Sequence, residues 1–247
     1  MKKNELDYIE WKEWGSDNFG SYTNEENILF STELNRAGVV LDQDIRVLEI
    51  GFGNGAFLGW VKQYSCHYIG IEINNALIAR AKAAGAEAYA SIGEMRSQIG
   101  DKKFDLIIAF DVIEHMPIND IISSLEAWAN YLSKNGCILI RIPSGDSPFS
   151  GRIMYGDITH KTLLASTALR QIASLTGLYL VATYPPALPI FGLGPLKAFE
   201  RAIVKATRYL ITFLVNATFH GNRHGVVTSN LVAILKHDVR ASKHSTR

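Results

Sequence analysis

Residues 47–55 read VLEIGFGNG, and this stretch indicates a strand that ends in a glycine turn. The apolar residues favour a strand, and Gly51, Gly53 and Gly55 precede the apolar start of a helix. Glycines at such a turn permit unusual backbone dihedrals and let a ligand approach the main chain. N–H groups at a helix start favour a polar or anionic ligand group. We therefore expect a ligand to bind at this turn.

Two acidic residues accompany the turn. Glu49 lies two residues before the first glycine, so its carboxylate can reach the turn and hold an ammonium group. Glu72 ends a second predicted strand, and its two acceptor oxygens can bind both ribose hydroxyls of a nucleoside. The turn also fits the loose dinucleotide pattern G-x-G-x-x-G/A, so a nicotinamide cofactor is an open alternative at this point.

A third segment separates these alternatives. Residues 104–116 read FDLIIAFDVIEHM, which predicts a strand followed by Asp111 and a Glu114–His115 pair. With residues 47–55 and 70–74, this segment closely resembles the class I S-adenosylmethionine (SAM) methyltransferases, in the branch that includes ubiquinone-biosynthesis and sugar methyltransferases. The resemblance covers about residues 19–180 and a final strand. It implies SAM as the cofactor and makes a nicotinamide oxidoreductase the least favoured alternative.

The resemblance also implies which residues contact the cofactor. Glu49 would hold the amino group, Glu72 the ribose, and Asp111 the methionyl part beside the sulfonium. Many related enzymes bind the adenine amine with an acidic residue after strand three, but residues 90–93 contain none, so we expect a backbone amide at Ile92 instead. The main chain of the turn would supply the remaining contacts, from Gly51, Gly53, Asn54 and Gly55.

His115 and His160 are the candidate catalytic residues. His115 matches the Glu-His pair of the ubiquinone-type branch, and an imidazole can accept a hydroxyl proton near neutral pH. The alternative is that His115 bonds the helix start and shapes the pocket. Close-spaced metal-ligand patterns such as HExxH or CxxC are absent from the sequence, so we expect no metal.

His160 belongs to the segment YGDITHK, residues 155–161, in a loop at the edge of the sheet where such folds bind ligands. The Gly-Asp-x-Thr-His pattern before a helix resembles enzymes encoded with bacterial surface-polysaccharide pathways. We expect His160 to bind the acceptor or remove its proton. A local alternative is that Asp157 or Thr159 only caps a helix beginning at Thr162.

Composition and periodicity predict the fold class. The chain has 247 residues, 47% of them hydrophobic, and a net charge of +1, which fits one α/β domain and gives no global attraction to nucleic acid. Alternating strands and helices predict a Rossmann-like, seven-stranded, mostly parallel sheet with helices on both faces. The resemblance implies an antiparallel last strand. Cys66 and Cys137 are expected to be reduced core residues. Neither a signal peptide nor a run of ~20 apolar residues is evident, so the expected location is cytoplasmic.

The predicted single domain has four parts: an N-terminal cover (1–42), a cofactor-binding core (43–184), a helical insertion (185–227), and a last strand with its tail (228–247). The alternative for the first part is a helix pair at the sheet edge. The insertion has a basic face and an apolar face at helical spacing. One alternative is a lid with its apolar side on the domain and its basic side in solvent. The other is that residues 195–215 lie on the inner face of an anionic membrane. The basic residues are Lys197, Arg201, Lys205 and Arg208, and the apolar ones Phe199, Ile203, Ala206, Leu210 and Phe213.

These observations favour a SAM-dependent O-methyltransferase that acts on a hydroxyl of a sugar or glycan precursor in surface-polysaccharide biosynthesis. The resemblance of the Gly-Asp-x-Thr-His loop implies that acceptor, as a small molecule or a lipid-linked glycan. A quinone or other small-molecule methyltransferase is the enzymatic alternative, which an apolar pocket under the insertion would favour. A non-catalytic SAM-binding regulator is the alternative of another class.

Overall fold

The structure is a computed structural model that describes residues 9–64, 67–221 and 225–238. The expectations for Cys66 and for the first eight residues lie outside these ranges. The strands are β1 Arg46–Ile50, β2 His67–Ile71, β3 Glu87–Tyr89, β4 Phe104–Phe110, β5 Leu132–Pro143, β6 Leu178–Tyr184 and β7 Asn230–His237. The helices are α1 Asn24–Ala37, α2 Ala56–Val61, α3 Asn75–Ala83, α4 Ile92–Ile99, α5 Ile118–Tyr131, α6 Gly151–Met154, α7 Ser166–Leu175 and α8 Pro195–Phe219.

The strands form one seven-stranded sheet in the order β3-β2-β1-β4-β5-β7-β6. Strands β1 to β5 pair in parallel, whereas β7 is antiparallel to both β5 and β6. The predicted fold class, including the antiparallel last strand, is confirmed. The carboxyl ends of β1, β2, β4 and β5 therefore meet at one edge, where open α/β sheets bind their ligands.

Both faces of the sheet are apolar because each is covered by helices. Successive residues of β1 alternate between the two cores: Leu48 packs with α5 and α7, and Val47 packs with α1 and α2. Trp128 of α5 and Trp60 of α2 are the largest side chains of their respective cores, and both are buried. This two-sided burial fixes the direction in which each loop leaves the carboxyl edge.

The structure differs from the sequence-based prediction at several elements, and three of these differences lie near the site. Helix α4 was not predicted; Ser91 caps it by accepting a hydrogen bond from Glu94 N at 3.1 Å. Strand β5 begins at Leu132, ahead of the predicted Cys137, because Leu132 pairs with Phe104. Helix α7 begins at Ser166 instead of Thr162, since Leu164 pairs with the chain after β5 and its carbonyl accepts from Gly145 N.

The segment before α1 lies directly on the glycine turn. Gly20 N donates a 2.8 Å hydrogen bond to Asn54 O, and Gly20 also abuts Gly59 of α2. A Cβ atom added at Gly59 would lie 1.8 Å from the Gly20 carbonyl oxygen. The absence of a side chain at Gly59 is therefore what lets the N-terminal segment reach the turn.

The insertion contains α8, a helix of 25 residues. Two residues of its basic face contact the domain, since Lys197 and Arg201 pair with Glu25 of α1 at 3.3 and 3.0 Å, whereas Lys205 and Arg208 are exposed. Its apolar face is exposed, with Phe199 at 67% and Phe213 at 68%. The lid alternative placed the apolar residues on the domain, which is wrong for Phe199 and Phe213 because both are exposed. Whether the insertion acts as a lid or lies on a membrane stays a prediction. Within the described ranges, no helix is long and apolar enough to cross a bilayer.

We predict that Gly59→Ala destabilises the protein by about 1–3 kcal/mol, the usual cost of overpacking. An alanine in a helix normally stabilises relative to glycine, so contact with Gly20 would reverse the sign. Urea denaturation measures the change. The control is Gly15→Ala, because a Cβ atom there meets nothing within 4 Å. A stability gain in Gly59→Ala would show that the segment before α1 does not pack on α2.

Candidate functional site

The glycine turn after β1 has left-handed backbone at each of its glycines. The φ angles of Gly51, Gly53 and Gly55 are 69°, 52° and 77°, which residues with a Cβ adopt at a cost. Added Cβ atoms would also collide with other side chains, at 2.6 to 2.9 Å. These side chains are Val112, Trp14 and Phe19, respectively. The turn is therefore a tight main-chain surface that aromatic residues of the N-terminal segment partly cover.

Glu49 is buried directly before this turn. The hydroxyl of Tyr68 donates to its Oε2 at 2.6 Å. Burial, together with the negative charge of Glu72, raises the pKa of Glu49 to about 8, although the Tyr68 hydrogen bond opposes the shift. A carboxyl group in this state is suited to a cationic partner, because an arriving ammonium would make the charged form favourable. Tyr68 was not identified from the sequence.

Glu72 is held in place by main-chain donors. Its Oε2 accepts from Gly53 N at 3.1 Å, and its Oε1 accepts from Asn74 N at 3.0 Å. Burial raises the pKa of Glu72, and these backbone hydrogen bonds oppose that shift. The Gly53 contact joins the end of β2 to the glycine turn, so the two predicted cofactor segments form one surface. Ile92 lies beside them, in the first turn of α4 and close to the end of β3.

Asp111 leaves β4 with a left-handed backbone, φ 57°. Its carboxylate forms a two-point ion pair with Arg141 of β5, in which Arg141 Nε lies 3.0 Å from Oδ1. Asp111 therefore reaches the carboxyl edge as predicted, but as half of an ion pair that the sequence did not reveal. The left-handed backbone turns the chain back toward Glu114 and His115, which occupy a short 3-10 helix.

Glu114, His115 and His160 lie together at this edge. The ring centroids of His115 and His160 are 4.6 Å apart. Main-chain contacts join the two segments, because Lys161 N and Thr162 N both donate to Glu114 O, at 2.7 and 3.1 Å. Both candidate catalytic histidines thus share one site, as expected from the topology. Glu114, which was not assigned a role from the sequence, is buried beside them.

The loop after β5 orients both imidazoles. Thr159 Oγ1 lies 2.5 Å from Asp157 Oδ1 and 2.9 Å from His115 Nδ1. Burial would raise the pKa of Asp157, but hydrogen bonds from Thr159 and the nearby Lys12 lower it, so the carboxylate accepts the Thr159 hydrogen. Thr159 then accepts from His115 Nδ1–H. His160 Nδ1 lies 3.2 Å from the Met154 carbonyl oxygen, which can only accept. In their neutral forms both rings then have their lone pair on Nε2, and His160 Nε2 lies 4.0 Å from Asp157 Oδ2.

This arrangement corrects one alternative drawn from the sequence. Neither Asp157 nor Thr159 caps α7, because that helix begins at Ser166. Ser166 N instead donates to Asp146 Oδ1 at 3.1 Å. The aspartate and threonine of the Gly-Asp-x-Thr-His segment hold His115, 44 positions away from Thr159.

A cavity of about 440 Å³ opens beside the same loop, between α1, α8 and the start of β7. Its lining mixes charged and hydroxyl side chains with apolar ones. Asn230, at the start of β7, contributes a buried side-chain oxygen that has no hydrogen-bond partner among the described residues. The other lining residues include the polar Glu25, Arg201, Arg208, Thr228 and Ser229 and the apolar Leu29, Ile153 and Leu188.

Comparison with known proteins gives one family and one fold. The profile of a family described as "Methyltransferase domain" matches residues 22–183. An uncharacterized protein of Methanocaldococcus jannaschii is 28% identical over 123 residues, 49% of this chain and 51% of the relative. The chain thus spans about half the length of the curated relative it matches.

Solved structures with the same fold include three methyltransferases. A SAM-dependent methyltransferase from Archaeoglobus fulgidus is 20% identical, with a TM-score of 0.56 and coverage of 85% of this chain and 94% of that one. A putative sarcosine dimethylglycine methyltransferase from Galdieria sulphuraria is 18% identical, with a TM-score of 0.57 and coverage of 94% of this chain and 96% of that one. Magnesium protoporphyrin IX methyltransferase from Synechocystis PCC 6803, with bound S-adenosylhomocysteine, is 11% identical. Its TM-score is 0.56, and the match covers 95% of this chain and 96% of that one. At these identities the likeness concerns the fold.

We predict that SAM binding releases a proton from Glu49. Below pH 8 the ligand-free carboxyl is protonated, and the ammonium of SAM favours its ionised form. Affinity should therefore rise with pH toward 8, by up to about tenfold per unit, with release of about one proton. Calorimetry in buffers of different ionisation enthalpy measures that release. Glu49→Gln should abolish it, whereas Glu87→Gln, an exposed control on β3, should not. Equal proton release in wild type and Glu49→Gln would contradict the assignment.

Proposed function

Because this chain belongs to the methyltransferase domain family, we propose that it transfers a methyl group from SAM to a hydroxyl of a sugar or glycan precursor. The class I SAM-dependent methyltransferase predicted from the sequence is confirmed at the level of family and fold. The cofactor fits the residues present: Glu49 suits the ammonium, and Glu72 lies where ribose hydroxyls can reach it. The surface-polysaccharide setting of the acceptor is part of the proposal.

The lining of the 440 Å³ cavity carries the acceptor proposal. A sugar presents many hydroxyls, and the side chains of Ser229, Thr228 and Asn230 can donate to or accept from them. The buried oxygen of Asn230 needs a donor, which a sugar hydroxyl would provide. Arg208 adds a cation suited to a phosphate, as in a sugar nucleotide or a lipid-linked diphosphate.

The two histidines support the choice of oxygen as the methylated atom. Methyl transfer is an in-line displacement, which demands alignment of the donor methyl and the acceptor oxygen. A hydroxyl must also lose its proton, and groups that can assist are His160, the first candidate, and His115. Thr159 and the Met154 carbonyl contact Nδ1 of His115 and of His160 and so orient the two rings. The Nε2 atom of each neutral ring can then accept a hydrogen bond from a hydroxyl.

A quinone or other small molecule is the second candidate acceptor. Leu29, Ile153 and Leu188 contribute apolar surface to the cavity, which would suit a prenylated ring. Arg208 distinguishes the two candidates, because its guanidinium would pair with the phosphate of a sugar acceptor and would contribute nothing to an apolar ring. A non-catalytic SAM-binding role would leave the oriented histidines without a function.

Labelled-methyl transfer against sugar nucleotides, lipid-linked glycans and quinols tests the acceptor. We expect turnover of a phosphate-bearing sugar, and Arg208→Ala should raise its KM at least about tenfold, since a charge-assisted hydrogen bond is worth roughly 1.5–3 kcal/mol. SAM affinity should not change. Arg170→Ala, an exposed control on α7, should behave as wild type. Turnover of quinols alone would establish the second candidate instead.

The exposed face of α8 supports an acceptor that is attached to a lipid. At about 100° per residue, an arc of about 140° from Tyr209 round to Leu196 contains only apolar and aromatic side chains. This arc is wider than the narrow seam of a two-helix coiled coil. A long helix with Phe and Leu on one side and Lys and Arg on the other is typical of helices that lie in a membrane interface. The exposed residues are Leu196, Phe199, Ile203, Tyr209, Leu210, Phe213 and Leu214.

We therefore propose that residues 195–215 lie on an anionic bilayer, with Lys205 at the border of the apolar arc. A fourfold variant with serine in place of Phe199, Ile203, Leu210 and Phe213 should bind vesicles containing anionic lipid at least about tenfold more weakly. Each of these side chains contributes roughly 1.5–3 kcal/mol when it is buried in the bilayer. Co-sedimentation measures binding. Val40→Ser with Leu175→Ser removes exposed apolar groups elsewhere and should have no effect. A dimer that the fourfold variant dissociates would make this face a contact between two copies.

A further inference from the structure

Glu114, His115 and His160 form a set that can surround a single ion. One carboxylate oxygen and one ring nitrogen from each histidine all lie within 4.8 Å of one another. We propose that these three residues bind a divalent first-row transition-metal ion, and that this ion holds the acceptor oxygen. The expectation of no metal rested on close-spaced motifs, whereas 45 positions separate the two histidines here.

The state of Glu114 is the first argument. The residue is 2% exposed, and its Oε2 atom has no hydrogen-bond partner in the part of the chain that the structure describes. Burying a carboxyl oxygen without a partner is costly. Arg141 stands nearby but its guanidinium forms the two-point contact with Asp111. A cation bound between Glu114 and the histidines would supply the missing partner.

The second argument is the contacts behind the histidines. In metal sites, a ligating histidine usually donates its other ring N–H to a carboxylate, a carbonyl or a similar acceptor. Here His160 Nδ1 faces the Met154 carbonyl, and His115 Nδ1 faces Thr159, which in turn bonds Asp157. In a neutral ring with these Nδ1 contacts, Nε2 is the nitrogen that would bind the ion. The Gly-Asp-x-Thr-His segment provides one ligand and orients the other.

The donor set indicates the class of ion. Two imidazoles and one carboxylate suit Zn²⁺, Co²⁺, Fe²⁺ or Mn²⁺, whereas Ca²⁺ and Mg²⁺ prefer sites made of oxygen ligands. Three protein ligands leave at least one coordination position for another molecule. That position is available to an oxygen of the acceptor.

The chemistry of this site rests on the proposed function. A sugar hydroxyl donates a lone pair to the cation, its O–H bond becomes more acidic, and the proton passes to bulk water. The oxygen then attacks the methyl carbon. The C–O bond forms as the C–S bond breaks, and its electron pair goes to sulfur, giving S-adenosylhomocysteine. In this arrangement the histidines place the acceptor oxygen through the ion, and the ion replaces direct proton removal by His160 or His115.

The test uses the full chain, freed of metal with a chelator and titrated with Co²⁺ alone. We expect visible absorption bands of a single bound Co²⁺ with nitrogen ligands, and a matching 1:1 calorimetric titration. Glu114→Gln and His160→Gln should each weaken binding at least about tenfold, and Thr159→Val should weaken it about 10- to 100-fold through the orientation of His115. His67→Gln changes an exposed histidine away from the cluster and should bind as wild type.

Two outcomes overturn the proposal: no Co²⁺ binding by the wild type, or equal binding by wild type, Glu114→Gln and His160→Gln. Retained S-adenosylhomocysteine binding shows that each variant is folded. Methyl transfer separates this inference from the proposed function. Full turnover of a sugar acceptor in the presence of chelator would leave the function standing and remove the metal. Tight Co²⁺ binding at these residues without turnover of any hydroxyl acceptor would support the metal site and contradict the proposed function.

Discussion

The burial of three glutamates at one edge of the sheet is the constraint on which the site depends. Glu49, Glu72 and Glu114 are each less than a tenth exposed, and burial raises the pKa of each, to about 8 for Glu49 and Glu114. Arg141 and Lys12 both act on Glu114, and the guanidinium of Arg141 is paired with Asp111. An edge with this charge distribution favours cationic ligands. The ammonium of SAM would pair with Glu49 and the proposed divalent ion with Glu114, while Glu72 would accept hydrogen bonds from the ribose hydroxyls.

This electrostatic arrangement costs stability in the absence of ligand. An acid whose pKa is raised by folding binds more protons in the native state than in the unfolded state between pH 4.5 and about 8, so its contribution to stability falls as pH rises through that window. The cost is offset by the apolar cores on both faces of the sheet, which are formed by residues such as Leu48, Trp60 and Trp128. The fold can therefore keep unfavourable groups at the edge where ligands bind.

Local patterns made the cofactor half predictable, and distant contacts decided the rest. The glycine turn, Glu49 and Glu72 follow from strand-end positions that the sequence displays directly. Arg141 and the burial of Glu114 depend on β4 and β5 lying side by side, which no short motif encodes. Helix α8 shows the same limit: periodicity predicts two faces, but it does not reveal that Lys197 and Arg201 pair with Glu25, which is far away in sequence. Helix α7 begins later than the sequence predicted because Leu164 pairs with the chain after β5.

The proposed acceptor route follows from the position of α8. Arg208 of this helix lines both the 440 Å³ cavity and a smaller one beside Phe149, so the inner side of α8 borders the acceptor space while its outer side is apolar and exposed. Ile153, in the loop that leads to His160, lines the same cavity. A lipid-anchored sugar held at a bilayer would therefore enter between α8 and that loop. Its lipid would remain with the outer face, while its hydroxyl would reach toward Glu114 and the two histidines.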